Sequence, residues 1–178
     1  TDVLVIINFC LREEIENETI DSIHKRVLEG MGLIVLHSAI RSKIFQRLMG
    51  TSCNYKNRVA SEICRVWNIC PSHPIAEGIG EYIELDNEEM FGEHFDIPSP
   101  DELIFINWYK GGEVFRSGGT YRRGNGKIFY FQPGHELYRG YYNMGVQKVI
   151  KNAIRWCYPS RSCYPTYGKV VELENLVI

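Results

Sequence analysis

The chain has 178 residues, 44% of them hydrophobic and 24% charged, which supports one domain with a real core and excludes a disordered or fibrous protein. Twenty Lys and Arg against 22 Asp and Glu leave a net charge of -2, which argues against a strongly basic nucleic-acid binder. No apolar run approaches the ~20 residues that span a bilayer, and the N-terminus lacks the pattern of a signal peptide; no membrane partner is expected, and the expected compartment is the cytoplasm.

In chain order, Val3-Leu4-Val5-Ile6-Ile7 is a continuous apolar run, the mark of a strand buried on both faces. Nothing precedes it, so an N-terminal truncation or processing is expected. After the charged connector Arg12 to Glu16, Asn17 or Thr19 can cap a helix with Ile20, Ile23, Val27 and Met31 at helical spacing, stopped by Gly30 and Gly32. Gly32 to Leu36 reads as a second strand, completing a βαβ unit. Ser42 to Gly50 reads as a short helix, Thr51 to Ala60 as loop, and Ile63 to Ile69 as a strand. Pro71-Ser72-His73-Pro74 marks a turn, and residues 81–100 read as an acidic loop ending in Pro98-Ser99-Pro100.

Leu103–Trp108, Glu113–Ser117 and Lys127–Phe131 then alternate with glycine-rich turns as a β-ribbon. The last helix runs from Met144 to Cys157, with Val146, Val149, Ile150, Ala153, Ile154 and Cys157 along one stripe. The expected architecture is α/β: a mostly parallel sheet with helices on both faces and a local antiparallel ribbon. Six cysteines without a CxxC pair read as free thiols rather than a disulfide framework or a zinc knuckle.

In such sheets ligands bind beyond the carboxyl ends of the strands, which selects Asn8-Phe9, His37-Ser38 and Gly134-His135-Glu136. His37-Ser38 stands where a nucleophile elbow would, but Leu36 and Ile40 occupy its glycine positions. Ser38 is then a helix cap or a nucleophile, and His37 a general base, an orienting donor or a satisfied structural group. His135-Glu136 offers an acid/base and a carboxylate, or a capping pair at a helix start. Glu88-Glu89 and Glu93-His94 belong to the acidic loop, a solvated face in the plainest reading. Arg116, Arg122 and Arg123 can hold a hydroxyl-rich or anionic ligand, or pair with that loop. Tyr138, Tyr141 and Tyr142 can form a sugar-stacking wall or simply pack a loop over the sheet edge. No Rossmann fingerprint or phosphate-binding loop is present.

Val27 to Ser38, Phe45 to Cys53, His73-Pro74-Ile75, Gly111 to Gly118 and Gly126 to Glu136 resemble the trehalose-utilisation (ThuA-like) family, over about Asp2 to Pro159. The resemblance implies a flavodoxin-like three-layer α/β/α sandwich, similar to class I glutamine amidotransferases. It also implies one ThuA-like domain over residues 1–178, lacking the first βα units. Its implied role is cytosolic utilisation of trehalose, related disaccharides or keto-sugars, with a small-molecule sugar as partner. The amidotransferase cysteine is absent from the Leu36-His37-Ser38 elbow, so no glutaminase is expected. The implied site is His37, Ser38, His135 and Glu136, with Glu89, Arg116 and Tyr138 toward the substrate.

Relatives carry histidines at the positions of Phe9, Arg12 and Ile40, which here are non-ligands. No cofactor is certain; a divalent metal such as zinc on His37 and His135 is the one the family would bring. Two functions stay open: a sugar-modifying acid/base enzyme, and a site-degenerate homologue that binds a sugar or partner without turnover. A cysteine-dependent hydrolase is a third, weaker one. A parallel sheet without its flanking strands exposes an edge, so a homo-oligomer is expected.

Overall fold

In the computed structural model, residues 1–7 and 15–159 are described. Seven strands form one sheet in the order β1-β2-β7-β6-β5-β3-β4. They are β1 (Val3–Ile7), β2 (Gly32–Leu36), β3 (Lys56–Asn68), β4 (Tyr82–Gly92), β5 (Glu102–Tyr109), β6 (Val114–Arg123) and β7 (Gly126–Phe131). Three α-helices accompany them: α1 (Asn17–Glu29), α2 (Lys43–Met49) and α3 (Met144–Cys157).

Only β1, β2 and β7 run parallel; every other pairing is antiparallel, so the sheet is mixed and the expectation of a mostly parallel one is corrected. The reason is connection length. Parallel neighbours need a crossover of a dozen or more residues, whereas the short turns after Tyr109 and Arg123 allow only hairpins. Two further expectations change. Residues 56–60, read as loop, begin β3, and residues 82–92, read as acidic loop, are β4. Of the stretch 81–100, only residue 81 and residues 93–100 lie outside the strand. The first half of β3 is exposed on both sides, so no apolar alternation marks it. β4 does alternate, with Ile83 and Leu85 buried between exposed Tyr82, Glu84 and Asp86, but its acidic residues obscure the period.

The parallel third sits between helices. Along β7 side chains alternate faces: a Cβ on Gly126 would lie 2.2 Å from the Val27 carbonyl of α1, while Lys127 donates to the Trp156 carbonyl of α3 at 2.9 Å. Helices α1 and α3 therefore cover opposite faces. Gly32 admits α3 equally closely, its Cβ position falling 2.4 Å from the Cys157 carbonyl. The expected stripe of α3 faces the core through Val146, Val149, Ala153 and Cys157, with Ile150 half-buried, but Ile154 is 40% exposed. Neither Asn17 nor Thr19 caps α1; Glu16 precedes it without a side-chain hydrogen bond. Ser42 caps α2 and Asn143 caps α3. Among the described residues no helix is long and apolar enough to cross a membrane.

Candidate functional site

The site lies where the parallel and antiparallel parts of the sheet meet. Strand β2 ends at Leu36, and His37 follows with φ +50°, a backbone conformation that non-glycine residues seldom adopt. That turn carries the His37 ring inward, leaving it 1% exposed. Strand β7 ends at Phe131 and leads through Gln132-Pro133-Gly134 to His135, which is 5% exposed. Gly134 has φ +131°, and a Cβ there would meet the Tyr141 ring at 2.2 Å, so glycine is required on both counts. The two imidazoles, far apart in the chain, meet edge to face with centroids 5.2 Å apart.

Strand β4 supplies both carboxylates that hold them. Consecutive strand residues normally face opposite sides, yet Glu88 and Glu89 are both buried. Register shifts between Arg58 and Glu62 and between Glu62 and Cys64 flank Glu88, and irregularities of this kind re-aim side chains. Glu88 accepts from the backbone N–H groups of Gly134 at 3.0 Å, His135 at 3.3 Å and Glu89 at 3.0 Å, which fixes the strand end that carries His135. Glu89 places Oε2 3.1 Å from His37 Nε2 and 3.6 Å from His135 Nε2, while its Oε1 accepts from Asn57 at 2.7 Å. Gln132 binds the same strand from below, its side-chain amide donating to the Glu89 carbonyl at 3.2 Å and its Oε1 accepting from Tyr109 at 2.9 Å and from Asn107.

The ring nitrogens are assigned by their partners. His37 Nδ1 lies 2.9 Å from the Gln132 carbonyl, an acceptor only, so it carries a proton. Its Nε2 faces a carboxylate oxygen, and that contact is favourable when a second proton sits between them. His37 is thus poised as an imidazolium. Burial is the largest influence and opposes the charge, but the Glu89 hydrogen bond, the Glu88 charge and the Gln132 carbonyl together raise its pKa above 6.5. Glu89 is also opposed by burial, and its bonds to His37 and Asn57 outweigh that and hold its carboxyl below 4.5. Glu88 goes the other way, raised by burial. His135 is the complement of His37: its Nδ1 accepts the Leu137 N–H at 3.0 Å, so the neutral ring carries its proton on Nε2, toward Glu89.

Of the residues expected at the site, the structure gathers His37, His135 and Glu89, with Tyr138 stacked obliquely on His135 at 4.8 Å. Glu136 stands at the rim, 59% exposed and 4.0 Å from His135 Nδ1. Ser38 is half-buried in the turn after His37, and Ser42 rather than Ser38 caps the next helix. Arg116 is not brought to this group. It pairs with Glu93 through Nε at 2.9 Å and Nη2 at 3.1 Å, and it donates to the Phe95 carbonyl at 2.6 Å. Asn8 and Phe9 lie outside the described residues. Tyr141 packs against Gly134, and Arg123 donates to the Leu48 carbonyl at 2.6 Å. Glu88, Gln132 and Asn57 were missed by sequence reasoning; the Ile83/Leu85 alternation that marks β4 was the signal for the first.

A divalent metal does not fit this donor set. Among the described residues, ligand atoms of His37, His135 and Glu136 come within 4.8 Å of one another. His37 suits a metal, because its second nitrogen is anchored on a carbonyl. The free lone pair of His135, however, is already taken by the Leu137 N–H. Three of the described cysteines are poor candidates for a reactive thiolate: burial pushes the Cys53 thiol up to about 11 and Cys157 up to about 12, and raises Cys64 well above its ordinary value.

Comparison with known proteins adds a family to this geometry. The family model described as trehalose utilisation, ThuA, matches residues 1–157. Curated proteins gave no match. Among solved structures, the chain is similar to a ThuA-like protein from Parabacteroides merdae, with a TM-score of 0.73 at 13% identity, covering 90% of this chain and 72% of the other. It is also similar to a ThuA-like protein from Bacteroides uniformis, with a TM-score of 0.62 at 16% identity and coverage of 88% and 69%. A cytoplasmic protein from Salmonella typhimurium gives a TM-score of 0.60 at 12% identity, with coverage of 89% and 72%. At these identities the structures speak to the fold alone.

Proposed function

This chain belongs to the trehalose-utilisation (ThuA) family, and on that premise we propose that it performs acid/base chemistry on a sugar at the His37–Glu89–His135 cluster. The observation that carries the reading is that two touching imidazoles both turn Nε2 toward one carboxylate oxygen of Glu89. His37 has both nitrogens on acceptors and holds a transferable proton at Nε2. His135 has its Nδ1 occupied by the Leu137 N–H, which leaves Nε2 as its donor. In this reading the proton between His37 Nε2 and Glu89 Oε2 is the one exchanged, the carboxylate passing it to and from the substrate while the His37 ring stabilises the carboxylate's charge. His135 donates a hydrogen bond to a substrate oxygen that gains negative charge, as a sugar carbonyl does during proton transfer at the neighbouring carbon. The class of substrate is a disaccharide or keto-sugar, met in the cytoplasm as suits a utilisation protein, with a second copy of the chain as an expected partner.

One observation favours the other reading, a sugar- or partner-binding homologue without turnover: both rings are almost fully covered, at 1% and 5% exposure. Incubating the purified protein with trehalose and with its keto derivatives, followed by NMR of the sugar, separates the two. The enzyme reading expects conversion, lowered about 10²–10⁴-fold by His37→Gln. Sugar-induced stabilisation without conversion, indifferent to His37→Gln, would establish the binder instead.

A further inference from the structure

Helices α1 and α3 pack on β7, and at the far flank of the sheet β3, β4 and β5 keep one face open. Along β3, Cys64 and Val66 are fully buried, while Arg65 and Trp67 alternate with them and turn to the other side, where solvent reaches them. The pairing register sets Trp67 opposite Tyr82 in one row and lines up Glu84, Arg65, Trp108 and Val114 in the next. The Trp67 and Tyr82 rings are 4.9 Å apart between centroids. The Arg65 guanidinium lies 5.0 Å over Tyr82 and 5.9 Å over Trp108, and its Nε donates to Glu84 at 2.7 Å. Tyr82, Trp108 and Val114 remain 39%, 36% and 50% exposed.

Two tryptophans and a tyrosine grouped around one arginine match the centre of a protein interface, where these residue types carry most of the binding energy. The exposed parts of the six side chains amount to roughly 500 Å², so two such faces together bury about 1,000 Å², the lower bound of a specific interface. Charge selects the occupant. The face carries one cation and one anion side by side, Arg65 and Glu84, so it holds no net field for a strongly charged partner and does not repel its own copy. A two-fold interface requires a patch that complements itself. With the axis beside Arg65, each guanidinium meets the partner's Glu84, and the four charges alternate in sign. We infer that two copies of the chain associate through this face, sheet against sheet. The face lies at the opposite flank of the sheet from the β1 edge. It gives the expected second copy a surface that does not depend on the chemistry proposed at the histidines.

Sedimentation velocity of the full chain from about 1 to about 100 µM reads the association directly, and the native chain is expected to pass from monomer to dimer within that range. Trp108→Ala is expected to weaken the dimer about tenfold or more. Arg65→Glu and Glu84→Arg are each expected to stay monomeric, because four like charges then meet at the axis. An equal mixture of these two variants is expected to associate again, since the alternation is restored between unlike chains, and that rescue cannot come from misfolded protein. Three results overturn the interface: a native chain that stays monomeric to about 100 µM, a dimer unmoved by all three substitutions, or a mixture that stays monomeric while the native chain dimerises. None of these readings involves a sugar, so they leave the chemistry at His37 and His135 to its own test.

Discussion

The parallel third of the sheet and its antiparallel remainder are built on different principles, and the site is where they meet. In the parallel part, β7 packs against both α1 and α3 and β1 forms the half-buried edge beyond β2, and backbone closeness at Gly32 and Gly126 sets the packing. In the antiparallel part, β3 and β4 form a long pair with interrupted register, the first half of β3 exposed on both faces and residues 88–92 of β4 buried on both. The first region presents the imidazoles from rigid strand ends. The second delivers the carboxylates that charge and hold them. The regular region gives position, and the irregular one gives polarity.

The largest test of that division is Glu88→Ala. It leaves three buried N–H donors unsatisfied, at ~1–3 kcal/mol each, so a loss of at least about 3 kcal/mol is expected in urea denaturation. Glu102→Ala, which removes the half-exposed partner of His73, is expected to cost about 0–1 kcal/mol in the same assay. A loss below about 1 kcal/mol for Glu88→Ala would mean that β4 does not secure the strand end carrying His135.

Stability against pH sharpens the comparison next. His37 is raised above 6.5, so its contribution is complete below pH 6.5 and is lost as pH rises through its folded value. Glu89 is lowered below 4.5, so its contribution is complete above pH 4.5 and is lost as pH falls through its folded value. Their pair is therefore at full strength between pH 4.5 and 6.5. Glu88, raised by burial, works against the acid-side loss. Denaturation midpoints across pH 4–9 are expected to decline on the alkaline side of that window in the native protein, and that decline should shrink in Glu89→Gln.

A small effect belongs to the start of α3, where Asn143 also donates to the Glu84 carbonyl of β4 at 3.3 Å. Asn143 Oδ1 caps α3 through the Gly145 and Val146 N–H groups, so Asn143→Ala is expected to cost about 1 kcal/mol without altering the His37 titration. A shifted titration would show that α3 and the site are coupled more closely than two separate regions allow.

What could be read from the sequence follows the same divide. Continuous apolar runs and helical spacing mark β1, β2 and α3, and α3 runs from Met144 to Cys157 as its periodicity predicts. His37 and His135 were legible as polar residues at the ends of such runs. Glu88 was not, because four acidic residues among the eleven of β4 look like a solvated loop when only charge is weighed. Its burial depends on a register shift against β3, a long-range feature that no local window contains. Arg116 illustrates the opposite error. It suggested a ligand contact, yet its guanidinium is satisfied by Glu93, the pairing that the sequence left equally open.

The protonation state of His37 tests the central claim most directly. An NMR titration of its imidazole in the native chain and in Glu89→Gln should give a pKa above 6.5 in the first, with Nδ1 protonated throughout. In the second it should fall, because burial is then opposed only by the Glu88 charge and the Gln132 carbonyl. A native His37 that titrates at or below 6.5, or that is unmoved by Glu89→Gln, would contradict the account.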